Sequence, residues 1–267
     1  MGHFLVLVSV IVAAIVHLVG ARVVIGNEIL RNTSFSVLKG ETVAILTNPS
    51  GLFPDSLQHI VDYLHFDTNT NISVILAPEH GFRGDHQAES GDPDSYIDAA
   101  TNLTVQSVYR KNQSDIQRIL TASNTTVLLV DIQDVGTRLY TFVWTMFDVL
   151  NAIAAMQPQD ENSPSIKIIV LDRPNPVGGV AVEGPILNTT CCSSRYGKSA
   201  VTHRHGLTIG ELALLFDAQD FNSVLQRNHV RVTRFAPFVL VCAFTFGVCA
   251  VCAVLGAHSC KNAKLGA

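Results

Sequence analysis

Four short apolar runs recur along this chain, and each ends on a polar turn. They are Thr42–Thr47 before Asn48-Pro-Ser-Gly51, Ile72–Leu76 before Ala77-Pro-Glu-His-Gly81, Thr126–Asp131 before Ile132-Gln-Asp-Val-Gly136, and Ile166–Asp172 before Arg173-Pro-Asn-Pro176. Each run is nearly continuous in apolar residues rather than alternating, the pattern of a strand buried on both faces. Between them lie helical patterns. Leu57, Ile60, Val61 and Leu64 share one helical face within 54–64, Ser114–Leu120 and Tyr140–Met156 read as helices, and Thr208 with Glu211 has the spacing of a capping box. Leu103–Val108 reads as a further short strand, and Asp85–Asp98 as a polar, acidic connection. Strand and helix in alternation predict an α/β fold, a parallel sheet with helices on both faces. In such a sheet the loops after Thr47, Ala77, Asp131 and Asp172 leave the same edge, where open α/β sheets place their ligands.

Several chemistries are excluded. The net charge of −4 comes without a basic stripe, so nucleic acid is not expected as a partner. No GxGxxG follows the first strand, and there is neither a GKS/GKT phosphate loop nor a GxSxG nucleophile turn. His203 and His205 lack a third ligand nearby, so neither metal nor cofactor is expected. Of the six cysteines only Cys191 and Cys192 belong to the body, and adjacent cysteines pair poorly. Cys242, Cys249, Cys252 and Cys260 lie in or beside the apolar tail, giving no disulfide framework.

The two ends carry much of the apolar content. Phe4–Val19 followed by Val19-Gly-Ala21 reads as a signal peptide over residues 1–21. Six Asn-x-Ser/Thr sequons, at Asn32, Asn71, Asn102, Asn112, Asn124 and Asn188, exceed the about one or two that chance supplies, and they matter only in a secretory lumen. The expected protein is therefore a secretory-pathway glycoprotein with its body extracellular or lumenal. Residues 238–257 run for 20 positions without a charge, the length of a membrane-spanning helix. The tail at 235–267 reads either as that anchor or as read-through into non-coding sequence.

The loop from Leu76 to Gly84 is the first candidate for chemistry. Glu79, His80 and Arg83 stand there among Pro78, Gly81 and Gly84. Glu79 and His80 suit a general acid/base pair, and equally a turn cap beside a surface histidine. Asp131, Asp134 and Arg138 suit either their own loop's hydrogen bonds and an internal ion pair, or contacts to substrate hydroxyls and a carboxylate. Asp172, Arg173 and Asn175 present the same two readings. Carboxylates in a polar cleft, without phosphate or acyl-transfer machinery, suit hydrolysis of an acetal.

Six blocks then stand in order: Ile45-Leu-Thr-Asn-Pro-Ser-Gly51, Pro78-Glu-His-Gly-Phe-Arg-Gly84, Asp131-Ile-Gln-Asp-Val-Gly-Thr-Arg-Leu-Tyr-Thr141, Leu171-Asp-Arg-Pro-Asn-Pro-Val-Gly-Gly179, Val182-Glu-Gly-Pro185 and His205-Gly-Leu-Thr-Ile-Gly-Glu211. Together they resemble the exo-β-N-acetylmuramidase family, the NamZ-like peptidoglycan hexosaminidases, over roughly residues 23 to 234. The resemblance implies a Rossmann-like domain at 22–234, followed by a smaller α/β domain that is only begun here, with the active site in the cleft between them. It implies release of terminal N-acetylmuramic acid from peptidoglycan-derived muramyl saccharides. Glu79 is the implied catalytic residue, taken as general acid with His80 beside it, and Asp131 or Glu183 would position water or the acetamido group. Arg83 or Arg138 would hold the lactyl carboxylate. Asn48, Asp134, Asp172, Asn175 and His205, from the same blocks, are expected to contact the saccharide. The other reading is a non-catalytic, membrane-anchored relative that binds amino sugars.

Overall fold

The computed structural model describes residues 23–87, 93–156 and 165–221, together with the backbone of 230–233 and 236–237. The expected signal peptide at 1–21 and the apolar run at 238–257 lie outside the described residues. Among the described residues no helix is long and apolar enough to cross a membrane. The chain divides into two compact units, residues 25–234 and residues 1–24 with 235–267. The described part of the second is a short antiparallel pairing of Val23–Val24 with Ala236–Pro237.

The larger unit is built on a seven-stranded sheet. Its strands are β1 (Thr42–Thr47), β2 (Asn71–Ala77), β3 (Ser95–Ile97), β4 (Thr104–Ser107), β5 (Val127–Asp131), β6 (Lys167–Leu171) and β7 (Val230–Thr233). In space they run β3-β4-β2-β1-β5-β6-β7, and every pairing is parallel except β3 with β4. Setting the antiparallel edge strand aside, this is the doubly wound Rossmann order, with its reversal point between β1 and β5. Among the described residues the α-helices are α1 (Gly26–Asn32), α2 (Ile60–Asp67), α3 (Gln113–Ala122), α4 (Thr141–Ala155), the single turn α5 (Thr189–Cys192) and α6 (Ile209–Asp220).

The apolar runs form strands because both of their faces are covered. Alternate residues of each strand go to opposite sides: Ala44, Leu46, Val74, Leu76, Leu128, Val130, Ile168 and Val170 enter one core with α3, α4 and α6. Val43, Ile45, Ile75, Ala77, Val127, Leu129, Ile169 and Leu171 enter the other with α1 and α2. Each Val, Leu or Ile among them contributes about 1.5–3 kcal/mol through burial, and a slip of one residue in register would exchange the cores of a whole strand.

Three elements depart from the sequence expectation. Residues 26–32 are helical, with the Glu28 carboxylate accepting a hydrogen bond from the Ile25 N–H at 3.2 Å. The helix expected from 54 begins only at Ile60, because His59 caps it: its Nδ1 accepts from the Val61 N–H at 3.3 Å. Ser95–Ile97, inside the expected polar connection, adds to the sheet as its antiparallel edge.

Candidate active site

Glu79 follows the last residue of β2 by two positions, in a turn that the backbone holds tightly. His80 has φ 72° and Gly81 φ 76°, and the left-handed conformation costs a non-glycine residue such as His80 roughly 1–2 kcal/mol. The His80 Nδ1 lies 3.2 Å from the His86 carbonyl. A carbonyl only accepts, so Nδ1 carries a proton and Nε2 is the nitrogen left for other partners. Across the loop, the Thr141 hydroxyl donates to Glu79 Oε2 at 2.7 Å. Thr141 is the first residue of α4, so the helix start pins one carboxylate oxygen. Glu79, His80, Leu139, Tyr140, Thr141, Phe142 and Tyr196 line a cavity of about 150 Å³.

A larger cleft of about 400 Å³, lined by residues including Arg31, Lys39, Tyr63 and Thr70, lies beside the residues that lead into β1 and β2. That is the opposite edge from the loops carrying the acid and base, and doubly wound sheets bind ligands beyond the carboxyl ends of their strands. The smaller cavity is therefore the one with chemistry. It is below the ~300–1,000 Å³ of typical ligand pockets, so it has room for one small group rather than a whole extended ligand.

The other expected site residues stand in bonds of the protein's own. Arg83 pairs with Asp62 on α2 at 2.7 Å and with Asp98 at 2.7 Å, and stacks over Phe82 at 4.6 Å. These two carboxylates raise the Arg83 pKa, and the Arg83 guanidinium holds Asp98 down at about 2. Asp131 is fully buried, salt-bridged to Arg173 at 2.5 Å, and accepts from Asn27 Nδ2 at 3.2 Å. Asn48 Nδ2 donates to the Gln133 carbonyl at 2.8 Å, which sews the loop after β1 to the loop after β5 across the sheet's reversal point. At the sheet's reversal point the two loops are thus tied to each other by side chains of the protein.

Asp134 caps α4, accepting from the Val143 N–H at 3.1 Å and the Val135 N–H at 2.8 Å, and burial pushes its carboxyl up. Asp172 caps α6 in the same manner, through the Gly210 N–H and the Thr208 hydroxyl, and burial likewise raises it. Arg138 donates to the carbonyls of Pro185 and Val201 at 3.1 and 2.6 Å. Asn175 Nδ2 donates to the Leu207 and Gly136 carbonyls. Gly136 at φ 95° makes room for it, since a Cβ there would stand 2.0 Å from Asn175 Oδ1. His205 is buried, accepts from the Leu207 N–H at 3.1 Å, and is held below its ordinary pKa by that burial. Glu183 pairs with Arg204 at 2.8 Å on a mostly exposed surface.

Of the expected catalytic set, the structure therefore brings Glu79 and His80 to one cavity and places Asp131 and Glu183 in ion pairs away from its lining. Arg83 and Arg138, expected at a substrate carboxylate, are committed to carboxylates and carbonyls of the chain. Among the described residues no group of three or more His, Cys, Asp or Glu side chains is placed to hold a metal ion. Cys191 and Cys192 are exposed free thiols.

Residues not singled out from the sequence complete the surroundings. Tyr196 lines the cavity, with Arg195 5.9 Å over its ring. Tyr109 follows β4, and burial first, then the charge of Glu79, disfavours ionisation of its phenol, while Arg110 and Arg195 act the other way. Tyr140 and Thr141 sit at the first turn of a helix legible in the sequence. Tyr196 lies in an irregular segment without period, where no local signal marks it.

The family model described as exo-β-N-acetylmuramidase NamZ, N-terminal, matches residues 43–237. A Bacillus subtilis protein named peptidoglycan β-N-acetylmuramidase NamZ is 42% identical over 212 residues, covering 76% of this chain and 48% of its own length. Two DUF1343 family crystal structures from Bacteroides fragilis superpose with TM-scores of 0.66 and 0.60, both at 32% identity. They cover 82% and 80% of this chain and 51% and 52% of their own. The chain thus spans about half the length of the relatives it matches.

Proposed function

This chain belongs to the exo-β-N-acetylmuramidase NamZ family, and we propose that it is a glycoside hydrolase acting on peptidoglycan fragments, releasing terminal N-acetylmuramic acid. The observation that carries the reading is Glu79: among the described residues it is the one carboxylate lining the cavity, fixed through Oε2 by the first residue of α4 and flanked by Tyr140 and Tyr196. Aromatic faces suit the apolar faces of a sugar ring. A carboxylic acid held in place beside them suits protonation of the glycosidic oxygen as the bond to the anomeric carbon breaks. His80, protonated at Nδ1, presents Nε2 as a group of the same cavity able to take up or return a proton.

The test is hydrolysis of a muramyl disaccharide by wild type and Glu79→Gln, with released N-acetylmuramic acid measured. Loss of a general acid predicts a fall of roughly 10²–10⁴-fold. An unchanged rate would remove Glu79 from catalysis. A wild type that binds the disaccharide without cleaving it would make the protein a binder of amino sugars.

The same proposal places the body in the secretory pathway, secreted or membrane-attached through 238–257. All six sequon asparagines, Asn32, Asn71, Asn102, Asn112, Asn124 and Asn188, are exposed, which supports it.

A further inference from the structure

We infer that Arg195, at the tip of the turn between Ser194 and Gly197, recognises a carboxylate on the sugar held against Glu79. This rests on the glycosidase reading above and assigns a residue to the carboxylate of its sugar.

The turn is a fixed one. The Ser194 N–H donates to the Gly197 carbonyl at 2.8 Å and the Gly197 N–H returns to Ser194 at 3.1 Å, leaving Arg195 and Tyr196 as the two tip residues. Its base is anchored on both sides. A Cβ on Gly197 would meet Leu187 at 2.6 Å, Lys198 pairs with Asp148 on α4, and the Ser199 hydroxyl donates to Asp220 on α6 at 2.7 Å. The tip is thereby held to the wall that carries Glu79, because Tyr196 and Glu79 line one cavity.

The charges select Arg195 among the cations of this edge. Arg83, Arg138, Arg173, Lys198 and Arg204 are engaged by carboxylates or backbone carbonyls of the chain. Among the described residues Arg195 meets aromatic groups instead, the ring of Tyr196 and the phenol of Tyr109. Stacking on a ring uses the face of a guanidinium and leaves its in-plane N–H fork for a carboxylate, which the fork fits with two parallel hydrogen bonds. Tyr109 supplies the second observation. Its Oη is shielded from solvent and has no partner at full hydrogen-bond geometry, while Glu79, Arg110 and Arg195 all interact with it. A solvent-shielded hydroxyl set between Glu79 and Arg195 is placed to donate to a carboxylate bound by Arg195.

The experiment is a binding titration with the full chain, comparing N-acetylmuramic acid with its lactyl methyl ester for wild type, Arg195→Met, Arg195→Lys and Glu79→Gln. Wild type is expected to prefer the acid by roughly ten- to hundredfold, the worth of a charge-assisted pair. Arg195→Met should lose that preference while binding the ester as before, and Arg195→Lys should keep part of it. A damaged fold would weaken both ligands alike. A preference that survives Arg195→Met, or a wild type that binds both ligands equally or neither, overturns the assignment. Glu79→Gln separates the two ideas. If it hydrolyses substrate at the wild-type rate and the acid preference still depends on Arg195, Glu79's role fails and this one stands. If hydrolysis is lost in Glu79→Gln but no preference depends on Arg195, this one alone fails.

Discussion

At the scale of single residues the molecule separates two uses of charge. Arg83 is a tie, holding α2 to the segment before β4 through two carboxylates. Asp98, with a side chain only 5% exposed and a pKa near 2, is its more buried partner. A carboxylate whose folded pKa lies below its unfolded value stabilises the fold above the unfolded pKa, and that contribution disappears as pH falls through the folded one. Asp98→Asn should therefore cost about 2 kcal/mol at pH 7. The gap from wild type should close between about pH 4 and pH 2 in urea titrations run across that range. A gap that stays constant to pH 2 would contradict the pairing. None of this was visible in the sequence. Asp62 and Asp98 stand 21 and 15 residues from Arg83 in different elements, and no local spacing brings them together. Glu79 and His80 were visible, because an acid and a base in a proline- and glycine-bounded turn have no periodic reason to be there.

At the scale of elements, capping decides where helices begin beneath the site. Thr208 accepts from the Glu211 N–H at 3.1 Å and donates to Asp172 at 2.9 Å, so one hydroxyl both starts α6 and satisfies a buried carboxylate. Thr208→Ala should destabilise the fold by about 1–2 kcal/mol, with Thr208→Ser retaining most of the wild-type value in the same urea titration. Equal losses in both variants would mean that the hydroxyl does no capping. This cap was legible as Thr-x-x-Glu before an apolar run. The capping of α4 by Asp134 was not, because its acceptor lies seven residues before the helix and reaches it only through the loop's path. Helix α1 escaped for a different reason: seven residues give too few turns for a periodic pattern, and its order comes from packing Leu30 into the core.

At the scale of the whole molecule, parallel strands could be read from the sequence, but not their order. Which strand sits centrally depends on crossover direction, and a run of apolar residues carries no record of that. The exposed sequons are a property of the entire surface. Expression through a eukaryotic secretory pathway should give a protein whose mobility shifts in steps on enzymatic removal of N-glycans, with one step lost for each Asn→Gln change. Asn112→Gln and Asn188→Gln should also weaken the caps of α3 and α5, since those side chains accept from the Asp115 and Thr190 N–H groups. An absence of any shift would place the body outside that pathway. The stitching of the sheet's loops by Asn48, Arg173, Asn175 and Arg138 has a thermodynamic consequence of its own. Those loops lose their conformational freedom when the chain folds rather than when a ligand arrives. Association of the proposed sugar on this face would then join a rigid wall to a rigid ring, with little disorder left to surrender.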